Sequence, residues 1–118
     1  MSPTFGQITF DCADAAKLAG FWSQLLDQPV DDGASDFFAT IGVRNRGTAL
    51  PLMFIRVPEP KSAKNRVHVD LLSADWKSEV KRAVGLGATH VADFDEFATQ
   101  WASLLDPEGN EFDIGVGM

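Results

Sequence analysis

The sequence predicts an α+β fold made of two modules, each with the order strand, helix, strand, strand, strand. An alternating segment followed by a helical stripe occurs twice in the chain, and both occurrences keep the same spacing. Gln7 lies seven residues before the helix-cap candidate Asp14, and His68 lies seven residues before Asp75. Similarity of this kind indicates a duplicated unit. We predict one domain, 1–118, with module one at about 5–57, a linker at 58–64 and module two at about 65–117.

The first module opens with residues 5–12, whose apolar and polar side chains alternate with the period of a strand. A helix is predicted next, because Asp14 is a natural N-cap and apolar residues then recur at helical spacing until Pro29 stops the helix. The members of that stripe are Leu18, Phe21, Trp22, Leu25 and Leu26. Two strand-like runs, "FFATIGV" and "ALPLMFIRV", follow on either side of the polar turn "RNRGT".

The second module repeats this order. A strand is predicted at 67–72, then a cap at Asp75 and a helix that ends at the C-cap glycine Gly87. The apolar stripe of this helix consists of Trp76, Val80, Ala83 and Val84. Three further strands are predicted from "THVADF", "TQWASLL" and "EFDIGV", and the turn "DPEGN" joins the last two.

Composition limits the classes of partner. The chain has 118 residues, 10 basic against 17 acidic, and a net charge of -7, which disfavours the phosphate contacts that dominate nucleic-acid binding. No apolar run approaches the roughly 18 residues that a membrane span requires, and no secretory leader is recognisable. We therefore expect a cytoplasmic protein whose partner is a small molecule and not nucleic acid or a membrane.

Three polar side chains are predicted to share one face of the sheet. The apolar members of the first strand of each module and of the final strand should face the helices, so Gln7, His68 and Asp113 should face away from them. The apolar members are Ile8, Phe10, Val67, Val69, Leu71, Phe112, Ile114 and Val116. An imidazole, a carboxylate and an amide oxygen together fit a divalent-metal site, in which Asp70 or a backbone carbonyl would orient His68.

Two other interpretations of these residues are open. In one, His68 and Asp113 form a structural hydrogen-bonded pair; in the other, they line a polar pocket that holds no metal. Met53 occupies the fourth symmetric position, and its thioether does not suit the hard or borderline ions that polarise oxygen atoms. Met53 is instead a candidate for contacting substrate.

Further substrate contacts are predicted near this face. Lys64 and Arg66 flank the strand that carries His68 and could bind an anionic group, although a solvated rim is the simpler interpretation. Trp101 could line a pocket, although aromatic residues in strands are more often core. No GxSxG, CxxC or P-loop pattern occurs in the sequence, so nucleophilic hydrolysis and nucleotide-phosphate chemistry are not indicated.

The segments "DCADAAKLAGFW", "VPEPKSAKNRVHVDL" and "DPEGNEFDI" resemble those of the vicinal oxygen chelate superfamily, and most closely its small bacterial glyoxalase-like domains. The superfamily includes glyoxalase I, extradiol dioxygenases, fosfomycin-resistance enzymes and bleomycin-binding proteins. The resemblance implies two βαβββ modules that form a curved mixed sheet around a central cleft. It also implies a homodimer.

The resemblance also implies a ligand set. Metal ligands in this superfamily come from the first and last strands of each module, which here are the positions of Gln7, Met53, His68 and Asp113. Gln7 and His68 fit the pattern, Asp113 is one methylene shorter than the usual Glu, and Met53 departs from it. The expected function is that of a metal-dependent lyase, isomerase or dioxygenase, in which Asp113 serves as ligand and as catalytic base. The alternative is a metal-free protein that binds an antibiotic or aromatic compound, as bleomycin-resistance proteins do.

Overall fold

A computed structural model of the chain describes residues 1–44 and 50–117. These residues form seven strands and two helices in two compact units, Met1–Pro60 and Lys61–Met118. The predicted α+β class is confirmed. Neither helix in the described ranges is long and apolar enough to cross a membrane.

The first unit contains a three-stranded sheet and one helix. Its elements are β1 (Ile8–Cys12), α1 (Ala15–Leu26), β2 (Phe38–Ile41) and β3 (Leu52–Arg56). The strand order is β1-β3-β2, with β3 parallel to β1 and antiparallel to β2. The predicted module order has three strands after the helix. In the described residues of this unit, only one isolated bridge, between Val30 and Ile41, is present in addition to β2 and β3. The predicted turn "RNRGT" lies, apart from Arg44, outside the described residues.

Helix α1 begins where the sequence predicts it, because the side chain of Asp14 accepts a hydrogen bond from the N–H of Lys17 at 3.2 Å. Its end differs slightly from the prediction. The helix stops at Leu26, where Asp27 takes the left-handed conformation with φ 53°, two residues before Pro29. The stripe predicted to be apolar is largely buried and forms the core against the sheet, with Leu18 and Trp22 almost fully enclosed.

The second unit contains a four-stranded sheet and one helix. Its elements are β4 (Val69–Leu72), α2 (Trp76–Leu86), β5 (Thr89–Glu96), β6 (Thr99–Leu105) and β7 (Glu111–Gly115). The strand order is β4-β7-β6-β5, and only the pairing of β4 with β7 is parallel. This unit has the predicted βαβββ order. Gly87 caps α2 with φ 125°, as predicted, although Asp75 makes no side-chain capping bond.

The core of this unit lies between α2 and one face of the sheet. Its buried members are Trp76, Val80 and Ala83 on the helix and Ala102, Leu104, Phe112 and Ile114 on the strands. The alternate strand residues, among them Asp70, Ser103 and Asp113, therefore point to the opposite face. In the turn "DPEGN", Asp106 accepts hydrogen bonds from the N–H groups of Glu108 and Asn110, and Gly109 has φ 85°.

Two strand residues predicted to face the helices, and one residue of the predicted apolar stripe of α2, are exposed. Val67 is 79% exposed because β4 begins only at Val69, so that Val67 precedes the sheet. Val116 follows the last residue of β7 and is exposed for the same reason. Val84 lies at the margin of the α2 stripe, beyond the buried Val80 and Ala83.

The strand registers confirm the duplication. Ile8 pairs with Leu52 in the first unit, and Val69 pairs with Phe112 in the second. Val69 follows Ile8 by 61 residues, as His68 follows Gln7, and Phe112 follows Leu52 by 60 residues, as Asp113 follows Met53. The next pairs along are Thr9 with Met53 and Asp70 with Asp113. On the neighbouring antiparallel strands, Thr40 pairs with Met53 and Ser103 with Asp113. The two units thus place different side chains at equivalent positions.

Strands β6 and β7 approach closely at Gly115. A Cβ atom at this residue would lie 2.5 Å from Cβ of Trp101 and 2.6 Å from the carbonyl oxygen of Gln100. Neither atom is the end of a flexible side chain, so an added methyl group must displace backbone. Gly85, in α2, has no atom within 4 Å of such a Cβ.

We expect Gly115→Ala to destabilise the protein by about 1–3 kcal/mol, the usual cost of forcing extra atoms into a packed site. The matched control, Gly85→Ala, should stabilise it by about 0.5 kcal/mol, because alanine favours a helix over glycine. Chemical unfolding monitored by circular dichroism measures both values. Equal stability of the two variants would contradict the close approach of β6 to β7.

Candidate metal centre

The candidate centre is formed by the parallel pairing of β4 with β7. Asp70 lies opposite Asp113 in this register, and Ser103 lies opposite Asp113 on the other side of β7. His68 directly precedes β4, two residues before Asp70, so their side chains leave the chain on the same side. We call Asp70, Asp113 and Ser103 the polar row, and His68 lies at its end.

His68 contacts both carboxylates. Its Nδ1 lies 2.7 Å from Oδ1 of Asp70 and 3.7 Å from Oδ2 of Asp113. The first distance is that of a hydrogen bond, which a carboxylate accepts from Nδ1–H. This bond holds the imidazole beside the polar row.

Ser103 fixes the second carboxylate. Its hydroxyl donates a hydrogen bond of 2.8 Å to Oδ1 of Asp113, which leaves Oδ2 on the side of His68. The Asp113 side chain is 19% exposed, against 60% for Asp70. The two carboxylates therefore differ in solvation although they are neighbours in the sheet.

Burial raises the pKa of the Asp113 carboxyl above its ordinary value. The hydrogen bond from Ser103 and the nearby His68 act in the opposite direction, and the charge of Asp70 adds to the increase. The carboxylates of Asp70 and Asp113 lie close together and repel each other when both are ionised, and a bound cation would reduce that repulsion. Raised carboxylate pKa values of this kind are more frequent at functional sites than elsewhere.

The donor set fits a divalent metal ion. One ligand atom from each of His68, Asp70 and Asp113 can be chosen so that all three lie within 4.8 Å of one another. Adjacent ligands at about 2.1 Å from one ion lie about 3.0–3.4 Å apart, so side-chain rotation would have to bring the three atoms closer together. A nitrogen and carboxylate oxygens suit manganese, iron, cobalt or zinc. In the described part of the chain, no other group of three such residues meets this criterion.

His90 provides a comparison within the same unit. Its Nε2 lies 2.7 Å from Oδ1 of Asp93, the same separation as between His68 and Asp70. Both residues are exposed, and the pair belongs to no three-residue cluster in the ranges that the structure describes. The second carboxylate is what distinguishes His68.

The remaining predicted site residues are distributed over both units. Gln7 directly precedes β1, as His68 precedes β4, and Met53 lies in β3 and is partly buried; both belong to the first unit. Lys64 and Arg66 are exposed in the segment before β4. Their roles, and the participation of Gln7 as a ligand, stay predictions. Trp101 is in β6 and stacks on Phe94 with ring centroids 5.1 Å apart.

The sequence predicted that His68 and Asp113 share a face but did not find Ser103. Asp70 was one of the two orienting partners predicted for His68, the other being a backbone carbonyl. Ser103 could be linked to Asp113 only through the register of β6 with β7. The turn "DPEGN" gives a clue to that register, because counting outward from a tight turn pairs residue 103 with residue 113.

Comparison with known proteins identifies the family. The family model described as a glyoxalase-like domain matches residues 7–115. The chain belongs to this family. The match confirms the resemblance to the vicinal oxygen chelate superfamily. No curated protein sequence matches this glyoxalase-like protein significantly.

Solved structures share the fold at low sequence identity. A glyoxalase/bleomycin resistance protein/dioxygenase family enzyme from Burkholderia phytofirmans has a TM-score of 0.75 and 19% identity, with 96% of this chain and 98% of that one covered. A mutant of the fosfomycin resistance protein FosX from Listeria monocytogenes, complexed with Mn(II) and 1S,2S-dihydroxypropylphosphonic acid, has a TM-score of 0.77 and 13% identity, with coverage of 100% and 93%. Oxidase ChaP-H2 has a TM-score of 0.71 and 16% identity, with coverage of 100% and 96%. These likenesses show the fold of the glyoxalase-like protein.

We expect Asp113→Asn to raise the melting temperature of the chelator-treated protein by a few degrees at pH 7. The native pKa of Asp113 is raised above the unfolded value, so the native state binds this proton more tightly. The free energy of unfolding therefore falls as the pH rises from the pKa of Asp113 in the unfolded state through its pKa in the native state. The asparagine side chain stays neutral at every pH, so the variant does not lose this stability. The gain should diminish as the pH is lowered towards the unfolded pKa. Differential scanning calorimetry across this pH range measures the effect.

Asp93→Asn is the matched control for this variant. The Asp93 side chain is 63% exposed, and its replacement should leave the melting temperature close to the wild-type value at every pH. A melting temperature for Asp113→Asn below that of wild type at pH 7 would contradict the assigned environment of Asp113.

Proposed function

We propose that this protein binds a divalent metal ion through His68 and Asp113 and acts on a small molecule with adjacent oxygen atoms, as a lyase, isomerase or dioxygenase. The observation that carries the proposal is the convergence of His68, Asp70 and Asp113 within the second unit. Gln7 is the third ligand that the family pattern implies. Met53 departs from the pattern, so the site would offer the ion fewer protein ligands and more open positions for substrate oxygen.

The electrostatics of the polar row support a cation at this place. Two carboxylates and an imidazole lie together, while burial already disfavours the ionised form of Asp113. A divalent ion would neutralise the two negative charges. The matching positions of the first unit, Thr9 and Met53, carry no charge.

The residues of the chain would have separate tasks. Asp70 accepts Nδ1–H of His68 and holds the imidazole beside Asp113. Ser103 holds Oδ1 of Asp113 and directs Oδ2 towards His68. When bound, the ion would supply Lewis-acid polarisation of a substrate oxygen. Asp113 would take a proton from the carbon adjacent to that oxygen.

The FosX structure adds support. That protein is complexed with Mn(II) and with a phosphonic acid that carries two adjacent hydroxyl groups. A ligand of this kind combines vicinal oxygens with an anionic group. In the present chain, Lys64 and Arg66 are exposed cations in the segment leading to His68, and they are the proposed contacts for an anionic substrate group.

A second candidate function is metal-free binding of an aromatic or antibiotic compound. Met53 at a ligand position and the stacked pair of Phe94 and Trp101 favour it. Such a protein would gain thermal stability from an apolar ligand whether or not a chelator is present. Homodimer formation and a cytoplasmic location stay predictions under either function.

We expect protein purified without chelator to contain close to one equivalent of divalent metal, and His68→Ala to remove it. His90→Ala is the matched control, because it deletes the imidazole of an otherwise similar His–Asp pair that lacks the second carboxylate. Plasma mass spectrometry measures the metal. Titration of the chelated protein with Mn2+, Co2+ and Zn2+, followed by thermal unfolding, measures the affinity.

Equal metal content in His68→Ala, His90→Ala and wild type would refute the metal site. Stabilisation of the His68→Ala variant by an apolar ligand would then favour the second candidate function. A loss of metal from both histidine variants would indicate general destabilisation, and the melting temperatures of the chelated proteins identify that case.

Asp70→Asn separates orientation from ligation. Asparagine still accepts Nδ1–H of His68 but has no charge, so we expect the dissociation constant of the ion to rise about tenfold, as for an outer partner of a metal-bound histidine. Asp70→Ala removes the acceptor as well and should weaken binding further. A loss in Asp70→Asn as complete as that in His68→Ala would make Asp70 a metal ligand itself.

A further inference from the structure

An apolar row lies beside the polar row on the same face of the second sheet. Leu72 pairs with Gly115, Gly115 with Trp101, and Trp101 with Phe94, so these residues form a line across β4, β7, β6 and β5. On each of these strands, the residue of the apolar row lies two positions from a residue of the line that contains the polar row. Residues two apart on a strand share a face, so the apolar row points away from α2.

The apolar row is accessible. Leu72 is 69% exposed and Phe94 is 38% exposed, although both are large apolar residues in strands. Trp101 is partly exposed and stacks on Phe94 at 5.1 Å, with an angle of 18° between the ring planes. The absence of a side chain at Gly115 lets Trp101 lie close against β7, at the side of the row nearest to Asp113.

Resting on the proposed function, we propose that this row is the subsite for a planar apolar group of the substrate, with Trp101 and Phe94 as its stacking platform. Sites for small molecules combine apolar and aromatic walls with a few convergent polar groups, and the two rows together have this composition. Two residues along a strand span about 6.7 Å. The preferred ligand therefore carries vicinal oxygens at one end and an aryl or fused-ring group at about that distance.

Hydroxamates test the two rows separately, because their adjacent oxygens chelate divalent ions and their substituent can be varied. The probes are acetohydroxamate and naphthalene-2-hydroxamate, titrated into the Co2+-loaded full chain by calorimetry. We expect the naphthyl compound to bind about threefold to tenfold more tightly than acetohydroxamate, because one aromatic contact contributes about that much affinity. Trp101→Leu should reduce this ratio to near one without changing the affinity for acetohydroxamate.

Two further variants keep the result interpretable. Phe94→Leu should lower the ratio as Trp101→Leu does, which guards against a folding defect in one variant. Phe97→Leu is the control, because Phe97 is more exposed than Phe94 and belongs to the turn of the same hairpin but lies outside the row. It should leave the ratio unchanged.

Failure of the metal site is distinguished from failure of the subsite. If acetohydroxamate does not bind, the metal proposal fails, and binding of 2-naphthol to the chelated protein decides the subsite alone. If 2-naphthol binds to the chelated wild-type protein and Trp101→Leu abolishes that binding, the subsite is supported. An unchanged ratio, or unchanged 2-naphthol binding, in both Trp101→Leu and Phe94→Leu overturns it. A change of sedimentation mass in those variants without a change in ligand affinity also overturns it, since the row would then be an interface between copies of the chain.

Discussion

The parallel pairing of β4 with β7 is the constraint on which the rest of the second unit depends. It sets Asp70 opposite Asp113, places His68 at the end of the same face, and aligns Leu72 with Gly115. A slip of one residue would send these side chains to the helix face and bring apolar residues into their place. The core therefore enforces the register. Phe112 and Ile114 must remain against α2, and the polar groups on the opposite face follow from that requirement.

The two units show how one backbone arrangement can carry different chemistry. Where the second unit has Asp70, Asp113 and Ser103, the first has Thr9, Met53 and Thr40 in the same registers. Thr40 is buried, and its hydroxyl donates to Asp31 at 2.7 Å. Burial alone would raise the pKa of Asp31, but this bond and those from the N–H groups of residues 42–44 lower it. The Asp31 carboxylate stabilises a loop, whereas the Asp113 carboxylate lies beside a second carboxylate, that of Asp70, and an imidazole.

Much of the fold could be predicted because its signals are local. The alternation of apolar and polar residues predicted the strands. Capping residues, and apolar residues at helical spacing, predicted α1 and α2. The predicted strands began too early, at residues 5 and 67, because an apolar residue next to a strand looks like part of it until pairing is known. Of the site, side-chain parity predicted that His68 and Asp113 share a face. The distances between them, the contribution of Ser103 and the difference in solvation between the carboxylates depend on strands that are distant in sequence.

The sequence by itself determined the duplication, the α+β class and the candidate metal ligands, because each follows from residue type and spacing along a single segment. Only the tertiary structure decided that Asp70 and Asp113 both lie beside one imidazole nitrogen, and that Trp101 stacks on Phe94 next to them. The physical reason is that hydrogen bonding between strands fixes which residues face one another. That register is set by the packing of the whole unit and not by any one of its strands.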